Sequence, residues 1–356
     1  MPRTPNIQLI DRLREEFRNG AFEDNAMLPP ERTLAQQFGV GRTALRAALA
    51  VLQREGLVQT YPHRGTRLTA AAGNSVRLKR VLVRYESHLS RTVYEIIELL
   101  SGISIAASKR NIEVILSLSP DRSRDRELID RYRSGAFDGM IFIDNTIEPE
   151  LEKLLLDAGV PYVTANDESG RDHPHVSVDF RAVGRLAGQR LLRTPFRRPA
   201  VLTGPLRMFI FKEMLAGFRG ALAEEEVYLD RAHISEISAQ PGPDETYPDL
   251  RKMLTGHRRP DAFFVMRDCR AEPLFRLCAE YGLRIPEDVE IIAYDNLSWP
   301  EGAKRGLTTI SQPVESIGSA ALDMLAEWKR RKACPPSTTV CGELVERTTL
   351  RPDRTR

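Results

Sequence analysis

Arg42, Thr43 and Arg46 are spaced so that, on a helix, they share one exposed face. The opposite face carries Leu45, Leu49 and Leu52 at i, i+4 and i+7, the stripe that a 3.6-residue period buries. Such a helix fits the major groove of B-DNA. There an arginine fork can grip guanine O6 and N7, and a threonine can touch phosphate or a thymine methyl. Leu28-Pro29-Pro30-Glu31-Arg32-Thr33-Leu34-Ala35 predicts a preceding helix, and Phe38-Gly39-Val40-Gly41 predicts the turn between the two. Downstream, Glu55 to Leu68 holds two short strand-like runs around a Pro and Gly turn, a wing with His63 and Arg64 at its tip. An amphipathic helix over 6–19, with Ile7, Ile10, Leu13 and Phe17 on one side, is expected to pack beneath the reading helix.

Composition narrows the possibilities. A chain of 356 residues with 42% hydrophobic and 28% charged residues can build two or three cores. No run approaches about eighteen uninterrupted apolar residues, and no signal-peptide core opens the chain, so a cytoplasmic protein with no membrane partner is expected. The net charge is +3. Residues 1–70 hold ten arginines against seven acids, and the other 42 basic and 42 acidic residues cancel, so the excess falls where DNA contact is expected. Cys269, Cys278, Cys334 and Cys341 show no C-x-x-C spacing and read as free thiols. His173-Pro174-His175 reads as a loop, and no metal or cofactor is expected. No G-x-S-x-G, P-loop, H-E-x-x-H or paired-carboxylate motif points to an enzyme.

Beyond the small polar run Ala70 to Ser75, a linker by composition, short apolar strands alternate with helices of ten or more residues. Val81-Leu82-Val83, Glu113 to Leu118, Gly139 to Ile143 and Pro161 to Thr164 are the strands of one series. Ala200 to Leu202, Ala262 to Met266 and Val289 to Tyr294 begin a second. The expected fold is α/β: an N-terminal winged helix-turn-helix over 1–70, a linker over 71–78, and over 79–356 a two-lobed domain of doubly wound parallel sheets. One lobe is drawn as 79–179 plus 298–330, the other as 180–297 plus 331–356. A ligand cleft is expected between them at the carboxyl ends of the strands.

The Leu-Pro-x-x-Arg-x-Leu-Ala signature, the Arg-Thr-x-x-Arg helix, Glu55-Gly56-Leu57 and Arg64-Gly65-Thr66 resemble the winged helix-turn-helix of the GntR family of bacterial transcription regulators. The resemblance implies DNA contacts from Arg32, Arg42, Thr43 and Arg46, with Arg64 and Gly65 of the wing in or near the minor groove. It departs at Gly41, where relatives often have a capping serine, threonine or asparagine. Residues 79–350 resemble the effector domain of the LacI family, itself akin to periplasmic sugar-binding proteins. Phe137-Asp138-Gly139-Met140-Ile141-Phe142, Leu215-Ala216-Gly217-Phe218-Arg219, Ile285-Pro286-Glu287-Asp288-Val289, Tyr294-Asp295-Asn296 and Ser311-Gln312-Pro313 carry it. The whole chain is similar to arabinose-repressor type hybrids.

This second likeness implies a sugar-type effector held by strand-end residues: Arg91 and Tyr94 after the first strand, then Asp144, Asp167, Lys212, Arg267, Asp268 and Asp295. Ser90 to Tyr94 departs from the family's asparagine-proline-phenylalanine segment, which leaves the aromatic wall open. For each carboxylate, capping of the next helix is the competing role. Convergence of Arg91, Lys212 and Arg267 would favour an anionic effector. The expected protein is a homodimer on a palindromic operator, a repressor of carbohydrate-utilisation genes released by a sugar or sugar derivative. An activator, or a regulator whose sensor only dimerises, is the alternative; a GntR-fused enzyme or a sugar-transport protein fits less well.

Overall fold

A computed structural model describes residues 7–18, 22, 26–61, 64–69, 78–85, 93–117, 125–143, 147–237, 247–296 and 300–353; the side chains of residues 7, 15, 18 and 93–95 are excepted. The expected linker Ala70 to Ser75 lies outside these residues. The chain divides into two compact units, Met1–Arg80 with Asp323–Pro335 and Val81–Leu322 with Pro336–Arg356. The sequence-based limits did not separate Asp323–Pro335, because a helix that runs past the edge of a unit carries no boundary signal.

In the first unit, α1 (Ile7–Arg18), α2 (Glu31–Gln37) and α3 (Arg42–Arg54) precede the hairpin β1 (Val58–Tyr61) and β2 (Gly65–Leu68). One core joins them: Leu9, Leu13 and Phe17 of α1, Leu34 of α2, Leu45, Leu49 and Leu52 of α3, and Val58 and Leu68 of the hairpin. The i, i+4, i+7 stripe is therefore the buried face of α3, as expected. Leu28 N donates to Thr66 O at 2.8 Å and Leu68 N to Ala26 O at 2.9 Å, so the segment before α2 pairs along β2 and anchors the wing.

The second unit holds two six-stranded sheets. The first is ordered β13-β7-β6-β5-β3-β4, from Thr338–Val340, His175–Val178, Tyr162–Ala165, Gly139–Ile143, Arg80–Tyr85 and Glu113–Ser117. The second is β14-β12-β11-β10-β8-β9, from Glu343–Val345, Thr308–Ser311, Glu290–Asp295, Ala262–Met266, Pro199–Thr203 and Ile234–Glu236. Neighbours in the second sheet are parallel except for the edge strand β14. Every residue of β5, β8, β10 and β11 is buried, and apart from Thr203 of β8 and the terminal carboxylates Glu290 and Asp295 of β11 they form the apolar runs required of strands covered on both faces.

The drawn lobe limits need correction at the C-terminal end. Thr308–Ser311 was assigned to the first lobe but pairs with β11 in the second sheet. Thr338–Val340 was assigned to the second but pairs with β7 in the first. Between them, α12 (Val314–Arg331) starts on the first lobe, where Arg110 Nη2 donates to Ser319 Oγ at 2.7 Å. The chain thus crosses between lobes near 179, 312 and 341. Strands of three or four residues show too little periodicity for sequence to assign them to a sheet.

Two helices of the second lobe, α7 (Phe180–Leu192) and α8 (Phe209–Glu224), meet backbone to backbone. A Cβ on Gly217 would lie 1.9 Å from Arg181 O, and one on Gly184 would lie 1.9 Å from Met214 O. Gly217 of the family-like motif is therefore a packing residue that brings the start of α8 to the cleft.

Candidate functional site

The reading face is built locally. Gly41 stands at the N-cap of α3 with extended backbone and no side-chain cap, so the first turn presents its free N–H groups beside Arg42 and Thr43. Arg32, Arg42, Thr43 and Arg46 are all exposed. Arg46 Nε donates to Glu31 Oε2 at 2.7 Å, an ion pair between helices at the surface. The wing turns at Gly65, whose φ of +99° suits glycine and whose missing Cβ would lie 3.0 Å from Met27 Cε. Arg64 beside it is exposed, and His63 lies outside the described residues. Exposed guanidinium groups on a helix and wing that share one rigid core can contact phosphates and base edges together.

The cleft is built at long range. The second sheet reverses its order between β8 and β10, and the carboxyl ends of strands at such a switch point are where open α/β sheets bind their ligands. Arg267 follows β10 there, with φ +88°, a conformation that costs a non-glycine residue about 1–3 kcal/mol. Its side chain is 10% exposed, and Nη2 donates to both carboxylate oxygens of Glu168 at 2.7 Å. Nη1 lies 3.6 Å from Asp295 Oδ2 at the end of β11. Asp295 also accepts from Gln312 Nε2 at 3.2 Å, and Gln312 Oε1 accepts from Asn166 Nδ2 at 2.9 Å. Asn166 and Glu168 belong to the first lobe, Arg267 and Asp295 to the second, and Gln312 to the crossing between them. A ring of polar side chains therefore ties the lobes together.

The remaining sequence-based candidates have varied surroundings. Asp167 is 1% exposed, and its carboxylate accepts from Ser169 Oγ at 2.8 Å and Gly170 N at 3.3 Å. It shapes a turn, and its neighbour Glu168 is the residue that reaches Arg267. Asp268 accepts from Thr309 Oγ1 at 2.6 Å and Asn296 N at 2.9 Å, so both its oxygens cross-link the second lobe. Burial pushes its carboxyl up to about 6, against the pull of Thr309, Asn296 and the Arg347 guanidinium. Lys212 is exposed in the first turn of α8. Arg91, Asp144 and the side chain of Tyr94 lie outside the described residues. The Arg267 charge is balanced by two carboxylates, and Arg91, a member of the basic cluster expected of an anion site, lies outside the described residues.

Asn166, Glu168 and Gln312 were missed from sequence. Only Gln312 carried a signal, as part of Ser311-Gln312-Pro313. Glu168 is indistinguishable in sequence from any loop acid until the fold brings Arg267 to it.

Comparison with known proteins accounts for both units. Residues 6–68 match the model of the gntR family of bacterial regulatory proteins, and residues 188–350 match a periplasmic binding protein-like domain. The chain is 30% identical over 234 residues to the HTH-type transcriptional regulator CelR of Thermobifida fusca, covering 64% of this chain and 67% of that protein. It is 28% identical over 257 residues to catabolite control protein A of Priestia megaterium, covering 70% and 75% of the two chains. It is 34% identical over 167 residues to the repressor PurR of Escherichia coli O1:K1 / APEC, covering 46% and 48%. A solved CelR–cellobiose complex superposes with a TM-score of 0.60 at 22% identity, over 90% of this chain and all of that one, which shows a shared fold. The chain belongs to the bacterial transcription regulators that join a GntR-family winged helix-turn-helix to a LacI-like, periplasmic-binding-protein-like domain, and it is a DNA-binding regulator rather than an enzyme.

Proposed function

We propose that this regulator is a repressor of carbohydrate-utilisation genes, bound as a homodimer to a palindromic operator and released when a neutral sugar enters the cleft between the lobes. The observation that carries the proposal is the ring Asn166–Gln312–Asp295–Arg267–Glu168. It sets hydrogen-bonding groups of both signs at the strand ends of facing lobes. Carboxylate, amide and guanidinium groups together suit hydroxyls, each of which donates one hydrogen bond and accepts others. With two carboxylates around one arginine, a carboxylate or phosphate ligand would meet repulsion, so the charge balance favours a neutral sugar over an anionic one. The likeness to CelR, solved with cellobiose, supports the same chemistry. Such a regulator would work in the cytoplasm, beside the chromosome.

Arg32, Arg42, Thr43 and Arg46 would contact the operator, with the wing at Arg64 and Gly65 beside the minor groove. A sugar that takes over the hydrogen bonds of Glu168 and Arg267 would alter the closure of the lobes. Its effect on DNA binding is limited to its differential affinity for the two states. The test is the melting temperature of the full chain against neutral mono- and disaccharides, sugar acids and sugar phosphates, followed by operator gel shifts with each binder. A rise with a neutral sugar that also releases operator is expected. A rise with sugar phosphates alone overturns the neutral reading, and no rise with any sugar favours a domain that only dimerises.

A further inference from the structure

The turn that delivers Glu168 to the cleft also gathers two histidines. The side chain of His173 is 1% exposed, and both its ring nitrogens are buried without a hydrogen-bond partner. A neutral imidazole carries one N–H and one lone pair, and burying either unpaired is costly. The buried carboxylate of Asp167 faces it, with Oδ1 3.5 Å from His173 Nε2. The ring of His175, half-buried at the start of β7, has its centroid 5.3 Å from that of His173. One ligand-capable atom from each of the three side chains lies within 4.8 Å of the other two.

The backbone explains the meeting. Asp167 turns the chain through Ser169 and Gly170, and a bend at residues 172–174 then leads into β7 at His175, which brings the two histidine rings side by side. As its sequence suggested, the segment is a loop at His173 and Pro174, and His175 is the first residue of β7. His175 Nδ1 donates to the His173 carbonyl oxygen at 2.7 Å, which leaves the lone pair on Nε2. A backbone carbonyl that fixes the tautomer in this way is a common means of orienting a metal-ligating imidazole. The same carbonyl accepts from Ser337 Oγ at 2.9 Å, which holds it in place.

We propose that Asp167, His173 and His175 form a binding site for a divalent transition-metal ion of the zinc class. Two imidazole nitrogens and one carboxylate oxygen match the donor preference of zinc, with a fourth position for water. Ligand bonds of about 2.0–2.2 Å would draw the donors closer than they now lie, and would give the lone pair of His173 the partner that the protein does not supply. Binding would stiffen the turn that carries Asn166 and Glu168, so the ion would act on lobe closure without touching the sugar.

The test uses the tag-free full chain, stripped by chelator and then exposed to zinc chloride. About one zinc per chain should survive gel filtration, and zinc at about 100 times its Kd should raise the melting temperature by roughly 5 °C. Magnesium should do neither. Because His173 is buried and its replacement can unfold the lobe, the deciding variant is His175→Gln. It should melt as the wild type does in chelator and lose both the zinc and the shift. Zinc-edge X-ray absorption should show two imidazole ligands and no sulfur. Substoichiometric zinc in the wild type, equal uptake by His175→Gln, or sulfur in the spectrum would each overturn the site.

Discussion

Arg46 in the reading helix and Arg267 in the cleft were both expected to meet a ligand, yet they sit in opposite environments. Arg46 is 62% exposed and pairs with Glu31, fifteen residues away in a neighbouring helix. Arg267 is 10% exposed on a strained backbone and pairs with Glu168, 99 residues away in another lobe. An exposed arginine keeps its hydration and holds its partner weakly, so it can exchange that partner for a phosphate at little cost. A buried arginine depends on its carboxylates, because each loses more on burial than it regains alone. The first is half of a surface ion pair that stability hardly needs. The second is part of the lobes' own cohesion, and any ligand must compete with it.

The sharpest way to break this comparison is Arg267→Ala. It removes the guanidinium that balances the buried carboxylates of Glu168 and Asp295, and a loss of about 3–5 kcal/mol is expected in chemical denaturation of the lobes. A loss under about 1 kcal/mol would mean that Arg267 behaves like a surface residue. Asp268 supplies a second, pH-dependent test. Burial raises its folded pKa to about 6, above the unfolded carboxylate value, so the folded state binds the proton more tightly. Its contribution to stability is therefore present in acid and declines as pH rises from about 4 to about 6, by at most about 3 kcal/mol. Asp268→Asn should remove that decline, which melting temperatures of the two proteins across this window would reveal.

On the reading face the effects should fall on affinity alone. Arg42→Ala should weaken operator binding by about 10- to 100-fold, measured by fluorescence anisotropy at fixed salt, with the melting temperature unchanged. A fall in stability of the same size would make Arg42 a packing residue. The smallest effect is expected at the helix cap. Gly41→Ser should stabilise the head by a few tenths of a kcal/mol, since serine can accept from the free N–H groups of the first turn.

How much of this was legible in the sequence follows from range. Leu45, Leu49 and Leu52 report their own burial, because a helix repeats within a few residues. Met140, Phe142 and Ile143 do so as well, because strands buried on both faces must be apolar throughout. Gly41 and Gly65 announced a cap and a turn. By contrast, Thr308–Ser311 and Thr338–Val340 joined sheets opposite to those expected, since their few residues contain no register information. Asp268 looked like a ligand residue by position, and only Thr309 and Asn296 reveal its structural hydrogen bonds.

The sequence by itself determined the two kinds of domain, the reading helix with its exposed arginines, and the order of the main strands, because each is encoded in spacings shorter than one element. Tertiary structure alone decided that Glu168 rather than Asp167 meets Arg267, that Gln312 bridges the lobes, and that His173 and His175 close on Asp167. Those pairings depend on where separate strands end in space, which no local spacing specifies.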